Sequence, residues 1–559
     1  MSTAAHPTSS HALLSVLQAN GIDRVFLVPG ESYLGILDAL HDFPRIDPVT
    51  CRHEAGAGFM ACADGRLTGR PGVLLVSRGP GASNAAIAVH TAQQDAIPLI
   101  LLVGQVPRGD LRREAFQEID YTRMYGGIAK WVAEATEPAQ LPELAFKAMR
   151  VATSGTPGPV VIAIPEDVQQ QALPFDAAAW MAHEAPAVLP EAGTIARLRT
   201  MLEAARRPLL VAGGNFDRPG GREALRAFAH AWQLPVALSF RRQDLFPARD
   251  PLYVGDLGLA NPAQQIDAFR DSDLIVALGT RMGDITTQGY TFPDLPRPRQ
   301  QFVHCHPDAH FVGQHFVPDL PLVCDAVALA CACLPTTPVA HDARPNWVGR
   351  LRTIYETWAA WPASTGGAGV EFVDFVRALH ERAAPDAIVC LDASSFAAPV
   401  YRHFPFAFPQ RLMAPLSGAM GYGTPAAIAA KLRRPEAPVV CLVGDGGALM
   451  TGNELIVAVE RRLPIVFVIC NNDCYGSIRL HQQRHYPGRT VGTSLSNPDF
   501  VAWGRAFGMQ AERIDRRDQI VPVLERAFAA PGPCLIEVAS RLSGAPPRGD
   551  RREERGQGQ

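Results

Sequence analysis

Residues 439–454 read VVCLVGDGGALMTGNE: an unbroken apolar run that breaks into Gly444-Asp445-Gly446-Gly447. Such a run, bounded by glycines, predicts a strand buried on both faces of a parallel sheet. Ligands of open parallel sheets bind beyond the carboxyl ends of the strands, and Asp445 stands at that end. The next apolar run, LPIVFVIC (463–470), ends in Asn471-Asn472-Asp473-Cys474-Tyr475-Gly476. Asn472 follows Asp445 by 27 positions, room for one crossover helix (GNELIVAVERR) and a return strand. Two oxygen side chains on neighbouring strand ends suit a hard cation, and Mg²⁺ completes its octahedron with phosphate and water. Gly446 and Gly447 would let backbone N–H groups approach phosphate oxygens at a helix start. Glu454, opening the crossover helix, reads as a first-turn acid favoured by the helix dipole.

The same alternation of short β-rich runs with Ala/Leu-rich stretches fills the chain, which predicts α/β domains with doubly wound parallel sheets. A length of 559 residues exceeds one core. Three blocks are expected, at 1–172, 190–335 and 365–543, joined by Pro/Ala-rich linkers. The tail 544–559 (GAPPRGDRREERGQGQ) reads as disordered.

With a net charge of −3 and no basic block, composition argues against a nucleic-acid partner. No apolar run is long enough to span a membrane, and the first residues lack the pattern of a signal peptide. Eleven scattered cysteines fit a reducing cytoplasm rather than a disulfide framework. The cluster His304-Cys305-His306 follows a strand-like run and reads as structural.

GDG followed at this spacing by NN-x-x-Y-G, each after an apolar strand, resembles the thiamine diphosphate enzymes. The resemblance implies that Asp445 and Asn472 bind Mg²⁺ through side-chain oxygens and Cys474 through its carbonyl, its thiol playing no part. It also implies three domains, pyrimidine-binding, central and diphosphate-binding. The segment RHEAGAGFMA (52–61) resembles the family's helix that carries the cofactor-activating glutamate, here Glu54, and GPGASN (79–84) follows it as in relatives. In PLSGAMGYG (415–423), Met420 corresponds to the wedge that bends the cofactor and Gly418 to the carbonyl that accepts from its amino group. Ser394 and Ser395 lie where relatives place donors to the diphosphate. In this family the first and third blocks around one cofactor come from different subunits, so a homodimer or homotetramer with interfacial active sites is implied.

Across nearly the whole chain the resemblance is closest to acetolactate synthase catalytic subunits, through segments such as GQVPRGDLRREAFQEID and SNPDFVAWGRAFGM. It implies cleavage of a 2-oxo acid and transfer of an acyl carbanion equivalent to a carbonyl acceptor. Phe116 and Gln117 of AFQE correspond to pocket residues. Arg281 of LGTRMGD matches a flavin-contacting arginine, which leaves FAD open for the central block.

Three departures bear on substrate. Pro29-Gly30-Glu31 replaces a small-residue segment, placing Gly30 and Glu31 at the pocket, and Glu166 replaces a lysine. Two added acids would repel an anionic acceptor. Ile478 stands where decarboxylases carry a proton-relaying glutamate, and an apolar residue cannot relay protons. His481 stands where the synthases have a tryptophan, and is the proton carrier favoured over His90 and His485. Two other readings stay open. One is a C–C lyase or hydrolase on a diketone or 2-hydroxyacyl-CoA, using a basic patch at Arg108. The other is a cofactor-binding regulatory protein without catalysis.

Overall fold

The computed structural model describes residues 7–173, 188–337, 339, 341–363 and 369–540. The tail 544–559 and most of the first linker lie outside these residues. Three six-stranded sheets carry the fold, and every strand pairing within them is parallel. The first contains β1 (Arg24–Leu27), β2 (Asp47–Thr50), β3 (Gly72–Val76), β4 (Leu99–Gln105), β5 (Trp131–Glu134) and β6 (Pro159–Pro165). The second contains β7 (Pro208–Ala212), β8 (Val236–Leu238), β9 (Tyr253–Asp256), β10 (Leu274–Leu278), β11 (Gln301–His306) and β12 (Leu320–Val323). The third contains β13 (Ile388–Leu391), β14 (Arg411–Met413), β15 (Val439–Gly444), β16 (Ile465–Asn471), β17 (Gln510–Ile514) and β18 (Cys534–Ala539).

Strand order is β2-β1-β3-β4-β6-β5 in the first sheet and β14-β13-β15-β16-β18-β17 in the third. These are one topology used twice. The sequence carries no visible repeat, because the rule that generates the order acts on apolar runs and crossovers rather than on residue identity. The middle sheet, β12-β11-β10-β7-β8-β9, has the dinucleotide-binding order instead. Central strands are buried end to end, as β4 and β6 show, because helices cover both faces. The helix Arg344–Ala359, beyond the expected end of the central block, sets Trp347 and Leu351 in the core of the second sheet.

The first and third domains share one apolar core. Helix Glu54–Thr68 packs along helix Gly423–Arg433, with Phe59 edge-on to Tyr422 at 5.7 Å between ring centroids. All three domains meet at Asp217. Its carboxylate takes Arg411 at 2.7 Å, Arg222 at 2.8 Å, Arg242 at 3.0 Å and Arg66 at 3.3 Å. Burial opposes its ionisation, yet Arg411, Arg222, Arg66 and Arg242 together hold the carboxyl well below the usual range. Asp244 supports the knot by accepting from Arg222 and Arg411 at 2.9 and 3.1 Å.

Removing one partner of a buried ion network leaves uncompensated charge. Asp217→Ala is therefore expected to cost about 3–5 kcal/mol in denaturant unfolding. Asp110→Ala, whose exposed pair with Arg113 spans 3.6 Å, should cost less than about 1 kcal/mol. Equal effects would remove Asp217 from its place as the junction.

Candidate active site

In the third sheet the strand order reverses between β13 and β15, the place where open α/β sheets bind ligands. β13 is followed by Asp392, Ser394 and Ser395; β15 ends in Gly444 and Asp445; β16 leads into Asn472 and Cys474. The carboxyl ends of three neighbouring strands thus gather these residues. Ser394 has φ +155° and ψ 176°, a conformation rarely held by residues other than glycine.

Asp445 is buried. Its Oδ2 accepts from Asn497 Nδ2 at 2.9 Å and from the Cys474 N–H at 3.2 Å, and its Oδ1 from the Gly446 N–H at 3.0 Å. Asn472 Oδ1 accepts from the same Cys474 N–H at 3.2 Å, so both oxygens converge on one donor. The Cys474 thiol is not idle: it also donates to Asn472 Oδ1 at 3.2 Å. Among the described residues no Lys or Arg pairs with Asp445, and burial pushes its carboxyl up against the bonds from Asn497 and the backbone. A buried carboxylate without a cation is costly, and a divalent ion would relieve it. No group of three His, Cys, Asp or Glu forms a metal cage among the described residues. That suits Mg²⁺ held by one carboxylate, one amide and a carbonyl, with phosphate and water completing the shell.

The glycines of the turn have a second reason besides phosphate approach. A Cβ on Gly446 would lie 2.5 Å from Tyr475 Cε1, and one on Gly447 would lie 2.9 Å from Asp392 Oδ2. Sequence reading missed Asp392. Buried, and pushed up by that burial to about 7, it accepts from the Gly421 N–H at 2.9 and 3.0 Å and the Ala393 N–H at 2.6 Å. It therefore pins the segment of Gly418 and Met420. Gly418 itself is exposed with φ +73°, and Met420 is half-buried.

Glu54 opens helix Glu54–Thr68 directly after β2 and is half-buried. Its Oε2 accepts from Asn84 Nδ2 at 2.9 Å, and a Cβ on Gly81 would lie 3.3 Å from its Oε1. RHEAG and GPGASN thus meet in space. Glu454 stands in a first helical turn, as expected, and is in addition fully buried. The crossover breaks at Gly452–Glu454, where Gly452 packs under Trp503, and turns Glu454 into the domain junction. There it accepts the N–H groups of His53 at 2.9 Å and Arg52 at 3.1 Å, tying the third domain to the residues just before Glu54. Nothing local marks it, since its partners lie some four hundred positions away.

Gln117 sits in a strained loop where Arg112, Glu114 and Gln117 all have positive φ. Its backbone oxygen lies 2.8 Å from where a Gly79 Cβ would stand. Gly30 packs against Ser77, and Phe116 is 78% exposed. Glu31 is exposed and joins no ion pair among the described residues. Glu166 differs from expectation: it is paired with Arg78, so it is not a free acid facing substrate. Helix Gly476–His485 carries exposed Ile478 and His481, the latter ring stacked on His485 with centroids 6.3 Å apart.

At the middle sheet a cavity of about 970 Å³ opens between the domains, lined by Gln94, Gly214, Gly279, Arg281, His306 and Phe311, among others. Gly214 and Gly279, which follow β7 and β10 where the strand order reverses, are among its lining residues. Arg281 donates to the Gln94 carbonyl and lies over the Phe311 ring. His304 bonds the Thr280 carbonyl at 3.0 Å, a structural role as read.

Comparison with known proteins agrees with this geometry. Residues 7–124 match the thiamine pyrophosphate enzyme N-terminal TPP binding domain, 195–332 the central domain and 392–538 the C-terminal TPP binding domain. The chain belongs to the thiamine pyrophosphate enzymes. It is similar to the acetolactate synthase large subunit of Parasynechococcus marenigrum, 32% identical over 95% of this chain and 87% of that one. It is likewise similar to that of Corynebacterium glutamicum (30%, covering 93% and 84%) and to the isozyme 2 large subunit of Escherichia coli (29%, covering 94% of each). The enzyme thus takes thiamine diphosphate with Mg²⁺, and the donor set at Asp445 and Asn472 fits the ion.

Asp445→Ala is expected to abolish Mg²⁺-dependent retention of thiamine diphosphate, measured by equilibrium binding, while the protein stays folded. A second expectation concerns pH. Burial raises the Glu454 carboxyl from an ordinary 4.5 to about 7, against the N–H bonds of Arg52 and His53. The folded state then holds this proton more tightly than the unfolded one, so its contribution to stability is full below 4.5 and is lost as pH rises to about 7. Glu454→Gln should flatten the decline in stability across that window in denaturation midpoints. An unchanged slope would refute the assignment.

Proposed function

We propose that this enzyme is an acetolactate synthase-like carboligase: it removes CO₂ from a 2-oxo acid and joins the acyl unit to a carbonyl acceptor. The observation that carries this reading is the joint presence of a cation-ready switch point at Asp445 and Asn472 and of Glu54 at the helix start beside Gly81 and Asn84. When bound, thiamine diphosphate supplies the carbon that adds to the 2-oxo acid carbonyl and takes up the electrons left as CO₂ departs. Glu54 holds a proton at the pyrimidine of the cofactor. Gly418 offers its carbonyl, Met420 its apolar side chain, and Ser394 and Ser395 their donors to the diphosphate. Gln117 and Phe116 line the substrate side, with His481 and Ile478 closing the entrance.

Two copies are required for this arrangement, as a homodimer or homotetramer. Support comes from the apolar side chains left open around the site: Phe116, Ile478, Leu449 and Met450 are all between 46% and 78% exposed in one chain. Large apolar side chains left exposed beside the site suit burial against a second copy. FAD is the group proposed for the 970 Å³ cavity, whose size and switch-point position suit a dinucleotide. Ten of the eleven cysteines are buried and all are free thiols, which suits a reducing cytoplasm. No described helix is long and apolar enough to cross a membrane.

The acyl-CoA reading loses part of its support: Arg108 is committed to Asp167 at 2.7 Å and to the Thr136 carbonyl at 3.0 Å, which leaves Arg112 and Arg113 as the exposed bases of that segment. A non-catalytic role leaves Glu54 without purpose.

CO₂ release from pyruvate, with thiamine diphosphate and Mg²⁺ present, is expected from the wild type and reduced at least a hundredfold in Glu54→Gln. Equal release from both would sink the role of Glu54. Release from neither, with cofactor bound, would overturn the pyruvate-cleaving reading.

A further inference from the structure

The first and third sheets share a strand order, so the first has its own switch point, between β1 and β3. In the third sheet that point holds the diphosphate-side residues. In the first, the residues leaving β1 and β3 are Gly30-Glu31 and Ser77-Arg78. The turn at Ser77–Gly81 runs between the two residues assigned to the reaction: Gly79 abuts Gln117 and Gly81 abuts Glu54. Arg78 lies on that turn.

Its backbone is fixed. The Arg78 N–H donates to Ser32 Oγ at 2.9 Å, Ser32 is buried, and its hydroxyl lies 3.1 Å from Ser77 Oγ. From the end of β3 the side chain reaches past the end of β4 to Glu166, which follows β6, and bonds it through one terminal nitrogen. Among the described residues its Nε is buried without a partner, and its other terminal nitrogen finds none either. The fork is half used. The neighbouring Arg108–Asp167 pair is closed on itself, with contacts at 2.7 and 3.0 Å, so it does not compete for Glu166. Glu31, on the β1 side, is exposed and outside any ion pair among the described residues, so a second negative charge is favoured on the Arg78 side.

We propose that Arg78, aimed by Glu166, is a substrate-anchoring residue that reads the carboxylate of a small 2-oxo acid. This rests on the carboligase reading for the identity of the acid, but not for the charge. A planar guanidinium with one nitrogen tethered and one open matches a carboxylate oxygen in direction as well as charge. Glu166 acts as an internal counter-ion: it holds the side chain in place and lowers the cost of a cation at a site that must also admit neutral carbonyl compounds. The added acid at position 166 thus comes with a base, and an anionic substrate is admitted rather than repelled.

The test is calorimetric titration of oxamate, a carboxylate that cannot lose CO₂, into protein loaded with thiamine diphosphate and Mg²⁺. Wild type should bind, Arg78→Gln should bind about tenfold or more weakly, and Arg78→Lys should recover part of the loss. Glu166→Gln should bind no more weakly than wild type, because its amide oxygen can still accept from Arg78 and hold the side chain while the competing negative charge is gone. Wild-type failure to bind, or equal affinity in Arg78→Gln, overturns the proposal. So does a loss in Glu166→Gln equal to that in Arg78→Gln together with a lowered melting temperature, which would make the pair merely structural. Oxamate binding that depends on Arg78, without CO₂ release from any 2-oxo acid, would sink the carboligase reading and leave this one standing. Glu54-dependent CO₂ release with oxamate affinity unchanged in Arg78→Gln would do the reverse.

Discussion

One carboxylate, Asp217, answers four guanidiniums drawn from all three domains: Arg66 from the first, Arg222 and Arg242 from the second, and Arg411 from the third. Much of the remaining geometry depends on this knot. Arg66 lies near the end of the helix that Glu54 begins, and its second contact is the Ala414 carbonyl, just before the Gly418–Met420 segment. Asp95, at the end of helix Pro80–Asp95, accepts from the Leu416 and Ser417 N–H groups at 2.8 and 2.7 Å. Fixing the knot therefore fixes where the cofactor-shaping segment of the third domain lies against the first. The central domain, which contributes none of the thiamine-site residues, acts here as the clamp.

The parts of this architecture that could be read from the chain are those written in consecutive residues. The placing of Asp445 and Asn472 at neighbouring strand ends was legible because a strand, a glycine turn and a crossover have fixed lengths, whereas Glu54 stood out only through the resemblance of its segment to the family's helix. Asp392, Glu454 and Asn497 were not, since each acts through contacts that only folding creates. Glu454 shows the reason most plainly. Its local context is that of an ordinary helix-opening acid, and only the break beside Trp503 and the pairing with His53 and Arg52 make it a buried junction. The same limit explains Glu166, whose negative charge was visible and whose partner 88 positions earlier was not.

Glycine illustrates how two demands can fall on one residue. Gly446 and Gly447 suit close approach of phosphate, but Tyr475 and Asp392 already exclude a side chain there before any ligand is considered. Gly418 is different. Open space surrounds it, and its positive φ alone explains the residue type.

The doubled strand order separates two kinds of evolutionary freedom. The third sheet's switch point is locked by interior packing, so nearly any change there removes the cofactor and the enzyme with it. The first sheet's switch point is bordered by solvent, by Glu31 and by the Arg78–Glu166 pair. Substrate preference can drift at these side chains while Glu54 on the same domain and Asp445 and Asn472 on the other keep the chemistry. A lineage built this way can acquire new acids as substrates without reinventing its catalyst.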